Sequence, residues 1–472
     1  MKKTEIIREE DVYKNTKDKL DKVGCGMCLA KWTQATVHLQ MGQTHSCHHP
    51  ATHKIPLAEI KYNPSALHNT RFKKLKRKEM LDGKRPKECN YCWNVEDNSE
   101  QFSDRVFKSN ESWSLPHFDK IANSNWREDI NPTYIEVAFS NACNFKCSYC
   151  GPSFSSSWAQ EAEKYGAYPT DDKFNDISRL KSENKMPIHH KDHNPYVDAF
   201  WEWWPYLYRD LHTFRITGGE PLLSKDTWKV LDYIIEHDKP NKELNLAINS
   251  NLGIPDNLVD KLIEKIKIIE DRGLVKEFIL FTSVDTWGKQ AEYIRDGLVF
   301  NKMWDNMNKV LTQCPRVNVT IMSTFNALSV PNYKKLVTNV HNLKLEYASN
   351  DRYWKSAVFL DTSYLRHPAH QTIQILDDKI WGPVLWDSIA EMDFLAAPKF
   401  HENLVGYSDV EIQKLKRSYD WMTSKFKKEE KVHVQRRNFG RFFKEHDRRR
   451  GTDIKNTFPE LVDFYEHCLT LK

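Results

Sequence analysis

The chain has 472 residues, of which 40% are hydrophobic and 29% charged, with a formal net charge of +5. That length gives room for two or three domains with an ample core, and so small a net charge identifies no partner. No segment approaches the ~18 consecutive apolar residues of a membrane span, and Met1–Glu10 lacks the apolar core of a secretory signal, so a cytoplasmic protein is expected, with no membrane partner. Ten cysteines in grouped spacings then argue for metal or redox work rather than disulfides.

The first group lies near the amino terminus. Cys28 is followed by thirteen residues, Gly42, four residues and Cys47; after a gap come Cys89 and Cys92 in Cys-Asn-Tyr-Cys. Thr36–Gln40 and the segment after Gly42 suit a short hairpin with glycine at the turn, which returns Cys47 to Cys28. The CxxC pair would complete a four-thiolate shell, either for an iron–sulfur cluster or for structural zinc. Cys25 and Cys28 also form a CxxC, and with Cys89 and Cys92 would make two zinc knuckles that omit Cys47. His45, His48, His49 and His53 crowd the same loop, as surface groups or as groups that orient the ligands of a complete shell. Over Arg71–Leu81, Phe72, Leu75 and Leu81 mark one side of a helix, with Lys73, Lys74, Lys76 and Lys78 around it. That is expected to be a solvated helix face, since one basic helix is a weak footprint for nucleic acid, which is not expected as a partner.

Tyr134–Phe139 reads as a buried strand entering a loop that carries Cys143, Cys147 and Cys150. Three thiolates in CxxxCxxC spacing can hold three irons of a four-iron cluster and leave the fourth open to an outside ligand. Residues 161–195 lack apolar periodicity and read as an insertion. The tryptophan-rich Phe200–Pro205 suits helix packing. Thr213–Thr217 is the next strand and runs into Gly218, Gly219, Glu220 and Pro221. There glycines allow close backbone approach, and a carboxylate can accept hydrogen bonds from an ammonium. Further strands are expected at Leu244–Ile248, Phe278–Phe281, Val317–Met322 and Ala357–Leu360. Strands alternating with helical stretches indicate a parallel sheet covered by helices. Polar residues gather at the strand ends: Asn249, Ser283 and Asp285, with Arg295 twelve residues past Ser283. Beyond about residue 375 the pattern is helical and its end basic, with Arg436, Arg437, Arg441 and Arg448–Arg450 as solvated groups or intramolecular partners.

CxxxCxxC with an aromatic before the last cysteine, followed by a strand and GGEP, resembles the radical S-adenosylmethionine (radical SAM) enzymes. The resemblance implies an α/β fold with a partial (β/α)6 barrel at 130–375 and a [4Fe-4S] cluster with an open iron on Cys143, Cys147 and Cys150. It also implies S-adenosylmethionine held by Tyr149, Gly218, Gly219, Glu220, Pro221, Asn249, Ser283, Asp285 and Arg295. The Cys28–Gly42–Cys47 spacing resembles the SPASM and twitch modules. That implies an auxiliary [4Fe-4S] cluster on Cys28, Cys47, Cys89 and Cys92 within a module at 1–110, here ahead of the barrel rather than after it. A helical extension at 376–472 completes the expected organisation. The expected reaction is hydrogen abstraction from a substrate by a 5′-deoxyadenosyl radical, with an electron donor such as flavodoxin or ferredoxin. The substrate is expected to be a peptide or protein, with a sugar or nucleotide as the alternative. A zinc-binding interaction protein is the rival from another class.

Overall fold

A computed structural model of the chain describes residues 9–349, 355–397, 405–424 and 429–472. Its strands, in chain order, are β1 Gln34–His38, β2 Gln43–His45, β3 His53–Lys54, β4 Tyr134–Ala138, β5 Lys146–Cys147, β6 Thr213–Thr217, β7 Asn245–Ser250, β8 Glu277–Ser283, β9 Arg295–Asp296, β10 Asn318–Phe325 and β11 Val358–Tyr364. Helices separate most of the longer strands, and the longer pairings are parallel, so the chain is mixed α/β. No helix among the described residues is long and apolar enough to cross a membrane. The chain divides into two compact units, each discontinuous in sequence.

The first unit comprises Met1–Ser140, Ile188–Gly218 and Lys239–Leu246. Here β1 runs antiparallel to β2 and parallel to β4, and β4 runs parallel to β6. The register stacks Ala35, Ile135 and Phe214, then Val37, Val137 and Ile216, into one fully buried apolar face. Helix Pro195–Asp210 also belongs to this unit, and its Phe200 ring packs edge-on to Phe139 at 5.0 Å. The three-tryptophan run therefore serves packing. The hairpin turns at Gly42, whose φ of 61° is a left-handed conformation; a Cβ there would sit 2.1 Å from the Tyr196 ring. The hairpin does not stand alone, because β1 takes β4 as its second neighbour.

One basic helix is not solvated all along its lysine face. Arg71–Leu81 is a helix, but Phe72 and Leu75 are 40% and 41% exposed, while Lys73, Arg77 and Met80 are buried. Neutral hydrogen-bond acceptors from elsewhere in the unit receive the two cations and turn that face inward.

The second unit comprises Asn141–Pro187, Gly219–Asp238 and Ala247–Lys472. In it β10 pairs in parallel with both β8 and β11. Helices Asp256–Asp271, Phe300–Gln313 and Tyr333–Glu346 bury apolar stripes such as Leu262, Ile266 and Ile269. β7, β8, β10 and β11 each begin within one residue of the apolar run that predicts them, and end past it at 250, 283, 325 and 364. Two helices, Ser156–Tyr165 and Ile177–Ser182, fall in or overlap the stretch read as an insertion. The tail is helical, with Asp378–Phe394, Asp409–Thr423, Glu429–Arg450 and Val462–Thr470 as its main elements.

Candidate metal and cofactor sites

Past β4 the chain enters the loop of Cys143, Cys147 and Cys150, which is braced throughout. Ser155 Oγ donates to the Phe145 carbonyl at 2.7 Å and Ser157 Oγ to the Cys143 carbonyl at 2.7 Å. The Trp158 indole donates to the Cys147 carbonyl at 2.8 Å. β5 pairs antiparallel with β9, which sets Cys147 opposite Arg295 and leaves Arg295 Nη1 3.6 Å from Cys147 Sγ. Gln371 brackets Ser148, accepting from its hydroxyl at 2.7 Å and donating to its carbonyl at 3.0 Å. Arg450, whose side chain is buried, donates to the Lys146 carbonyl at 2.6 Å and pairs with Glu161 at 3.1 Å. Burial, and then the neighbouring Cys147 and Cys150, push the Cys143 thiol far up. Burial and Cys147 push Cys150 up to about 12. Buried thiols that oppose one another's ionisation become stable ligands when a cationic metal sits among them, so this donor set fits a cluster.

Gly218 and Gly219 sit where only glycine fits. Gly218 has φ 128°, and a Cβ on it would lie 2.8 Å from the Ser140 carbonyl; one on Gly219 would lie 2.4 Å from that of Ala142. Pro221 is buried in the short turn that follows. Glu220 is 1% exposed and donates its own N–H to the Ala142 carbonyl at 2.7 Å. Its carboxylate accepts from Leu222 N (3.1 Å), Ser250 Oγ (2.9 Å) and Asn251 N (2.6 Å). All three donors are neutral. Burial pushes the carboxyl up to about 7 despite them, which is the environment an incoming ammonium would relieve.

Arg295 grips a carboxylate, and in this structure it is that of Asp285. Nη2 donates to Oδ1 at 3.1 Å, and Nε lies at an ion-pair distance of 2.8 Å from Oδ2. Asp285 is fully buried and also accepts from Tyr149 Oη at 2.8 Å and Thr324 N at 2.8 Å. The Arg295 guanidinium lies 5.6 Å from the centre of the Tyr149 ring. Sequence spacing selects all three residues, but their mutual engagement appears only in the fold. Ser283 stands at the end of β8 opposite Met322, and Asn249 Nδ2 is 3.8 Å from Met322 Sδ. Arg450 and Gln371 have no local sequence signal; the arginine lies in a basic run and the glutamine in an irregular connection.

In the first unit, Cys28, Cys47, Cys89 and Cys92 line one cavity together with Lys31, His49, Trp93, Asp104 and Arg105. Leu20, Met27, Leu29, Trp32 and Met80 form a buried apolar cluster with Cys89 and Cys92. Burial, then Cys47, Cys92 and Cys89, push the Cys28 thiol far up; burial pushes Cys92 up to about 12. Cys25 is exposed, with its Sγ 3.5 Å from the Gly83 carbonyl. His49 contacts Asp104 at 2.5 Å and stacks on Tyr91 at 3.6 Å, and His53 contacts Thr70 at 3.0 Å. No group of three or more His, Cys, Asp or Glu among the described residues surrounds a single-ion position. A four-iron cluster spreads its thiolates more widely than one ion does, and the shared cavity fits that wider donor set.

No protein-family model matches this chain. Two curated proteins are similar to it, both named GTP 3′,8-cyclase. That of Aliarcobacter butzleri is 27% identical over 177 residues, 37% of this chain and 42% of the relative. That of Sulfurimonas denitrificans is 24% identical over 200 residues, 42% of this chain and 49% of the relative. The chain thus spans less than half the length of either curated relative. Among solved structures, native anSMEcpe with bound AdoMet matches at 16% identity and TM-score 0.33, covering 57% of this chain and 62% of that one. The same protein with AdoMet and a Cp18Cys peptide matches at 15% identity and TM-score 0.31, covering 57% and 60%.

Proposed function

We propose that this chain is a radical SAM enzyme, built on a partial (β/α)6 barrel, that abstracts hydrogen from a peptide or protein substrate. Cys143, Cys147 and Cys150 would hold its [4Fe-4S] cluster, and Cys28, Cys47, Cys89 and Cys92 an auxiliary one. With S-adenosylmethionine bound and an electron from a donor such as flavodoxin or ferredoxin, the first cluster supplies a 5′-deoxyadenosyl radical. The observation that carries this reading is the braced three-cysteine loop, with Arg295 Nη1 3.6 Å from Cys147 Sγ and the Glu220 carboxylate tied to neutral donors alone. In this reading Glu220 receives the cofactor's ammonium, and Gly218 and Gly219 give it room. The Asp285–Arg295 pair fixes Tyr149 on one side and shields Cys147 on the other. Arg295 would reach a cofactor carboxylate by sharing its fork with Asp285. Pro221, Asn249 and Ser283 complete the cofactor contacts.

A nucleotide substrate is the second reading, favoured by the name GTP 3′,8-cyclase on both curated relatives. The test is anaerobic reconstitution followed by metal, sulfide and product analysis. Iron and sulfide at about eight each per chain, with 5′-deoxyadenosine formed from S-adenosylmethionine and a reductant, support the proposal. Zinc without sulfide overturns it in favour of a zinc-stabilised binding protein. Parallel incubations with peptide pools and with GTP decide the substrate class by which one is itself altered.

A further inference from the structure

The wall behind the four-cysteine cavity buries more positive charge than its own side chains balance. Lys31 lines the cavity at 3% exposure and is ion-paired with Glu88. Lys73 and Arg77, one turn apart on helix Arg71–Leu81, are 1% and 0% exposed. Lys73 Nζ donates to Thr44 Oγ1 at 3.0 Å and to the carbonyl of His45, two residues before Cys47, at 3.2 Å. Arg77 donates to the Lys31 carbonyl at 3.2 Å and to Asn69 Oδ1 at 2.8 Å. Both cations therefore spend their donors on neutral acceptors, and among the described residues neither is ion-paired with a carboxylate.

A buried cation without an anion is strongly unfavourable, and buried charges in stable folds are paired or sit beside metal centres. Four thiolates on a cluster are an anion of the required kind. Their negative charge exceeds the net positive charge of the iron–sulfide core they hold, and the net negative charge of the centre grows by one unit when an electron is taken up. We propose that Lys31, Lys73 and Arg77 are the counter-charge of the cluster on Cys28, Cys47, Cys89 and Cys92, and that they raise its reduction potential by favouring the more negative, reduced form. The proposal rests on reading that site as a cluster site. It gives the cations a task that packing alone does not require, since net charge around a cluster is one determinant of its potential.

The test uses the full chain carrying Cys143→Ala, Cys147→Ala and Cys150→Ala, so that a single cluster is observed. After anaerobic reconstitution, an electrode-poised titration followed by electron paramagnetic resonance compares this parent with Lys31→Gln, Lys73→Gln and Lys74→Gln. Lys74 is the control, because unlike Lys31 it does not line the cavity, and its ammonium is paired with Asp129 at 2.6 Å. Lys31→Gln and Lys73→Gln are each expected to lower the reduced-to-oxidised ratio at fixed potential about tenfold, a shift of about 59 mV for one electron. Lys74→Gln should leave the titration in place. Unchanged potentials in Lys31→Gln and Lys73→Gln, or an equal shift in Lys74→Gln, overturn the proposal. If Lys73→Gln fails to fold, Lys31→Gln decides alone. A parent that binds no iron and sulfide defeats the cluster reading itself, a result distinct from an unmoved potential.

Discussion

Glu220 is a carboxylate held by three neutral donors in a site closed to water, and its titration follows from that. Its ordinary value is 4.5, and burial lifts it to about 7 in the fold. Between those values the folded chain keeps a proton that the unfolded chain has lost, so stability falls as pH rises through the interval and stays low above it. At ~1.4 kcal/mol per unit the loss is about 3 kcal/mol. Denaturant melts of the cofactor-free protein at steps from about pH 4.5 to about pH 7 should show this decline, and Glu220→Gln should flatten it; equal slopes in both would remove the argument. A few atoms away, Gly219 faces the Ala142 carbonyl at the start of the cysteine loop. Gly219→Ala should cost about 2 kcal/mol or more, because backbone must move to admit the methyl. Iron at the three-cysteine site should fall with it, as read by metal analysis against the unaltered chain.

At the scale of elements, helix Arg71–Leu81 separates what a sequence declares from what a fold imposes. Counting apolar residues sets Phe72, Leu75 and Leu81 on one side with lysines around it, yet Phe72 and Leu75 are exposed while Lys73, Arg77 and Met80 are buried. The acceptors responsible, Thr44, the His45 carbonyl and Asn69, lie 29, 28 and 8 residues away and carry no local signal. Met80→Ala should therefore cost roughly 2–5 kcal/mol in urea unfolding, whereas Leu75→Ala should cost less than about 1 kcal/mol. Comparable losses would mean that both faces are packed. The pairing of β1 with β4 is hidden in the same way, since it joins segments about a hundred residues apart. By contrast, β7, β8, β10 and β11 are legible because their buried runs are continuous. The cysteines and GGEP stand out because thiols and glycines at short, fixed spacing are read directly from the chain. Arg295 and Asp285 stand between these cases: each is found by spacing, but their pairing with one another is not.

The second unit ties its own ends together. Arg450, at the end of helix Glu429–Arg450, reaches Glu161 on the helix after the cysteine loop, and Lys146 inside the loop. Burial alone would raise the Glu161 carboxyl, but Arg450, Tyr168 and Lys146 hold it down at about 2. Arg450→Met leaves that buried carboxylate with Lys146 as its near cation, 3.0 Å away, and should cost about 3 kcal/mol. Chemical denaturation checks the magnitude. Metal analysis should show iron lost from the three-cysteine site and kept at the four-cysteine site; equal loss from both would count against a local brace.

The same link has a temporal side. Lys146 and Arg450 are 304 positions apart, and at ~5–20 residues per second of synthesis the arginine arrives about 15–60 s after the loop it supports. Cys28, Cys47, Cys89 and Cys92, in contrast, all lie within residues 28–92 and are complete before the loop of Cys143 is made. On the proposed reading the two sites would be offered to metal in a fixed sequence, the four-cysteine site first. The three-cysteine loop gains its last brace only as the chain nears residue 450, which would make maturation of a cluster there a late, whole-chain event.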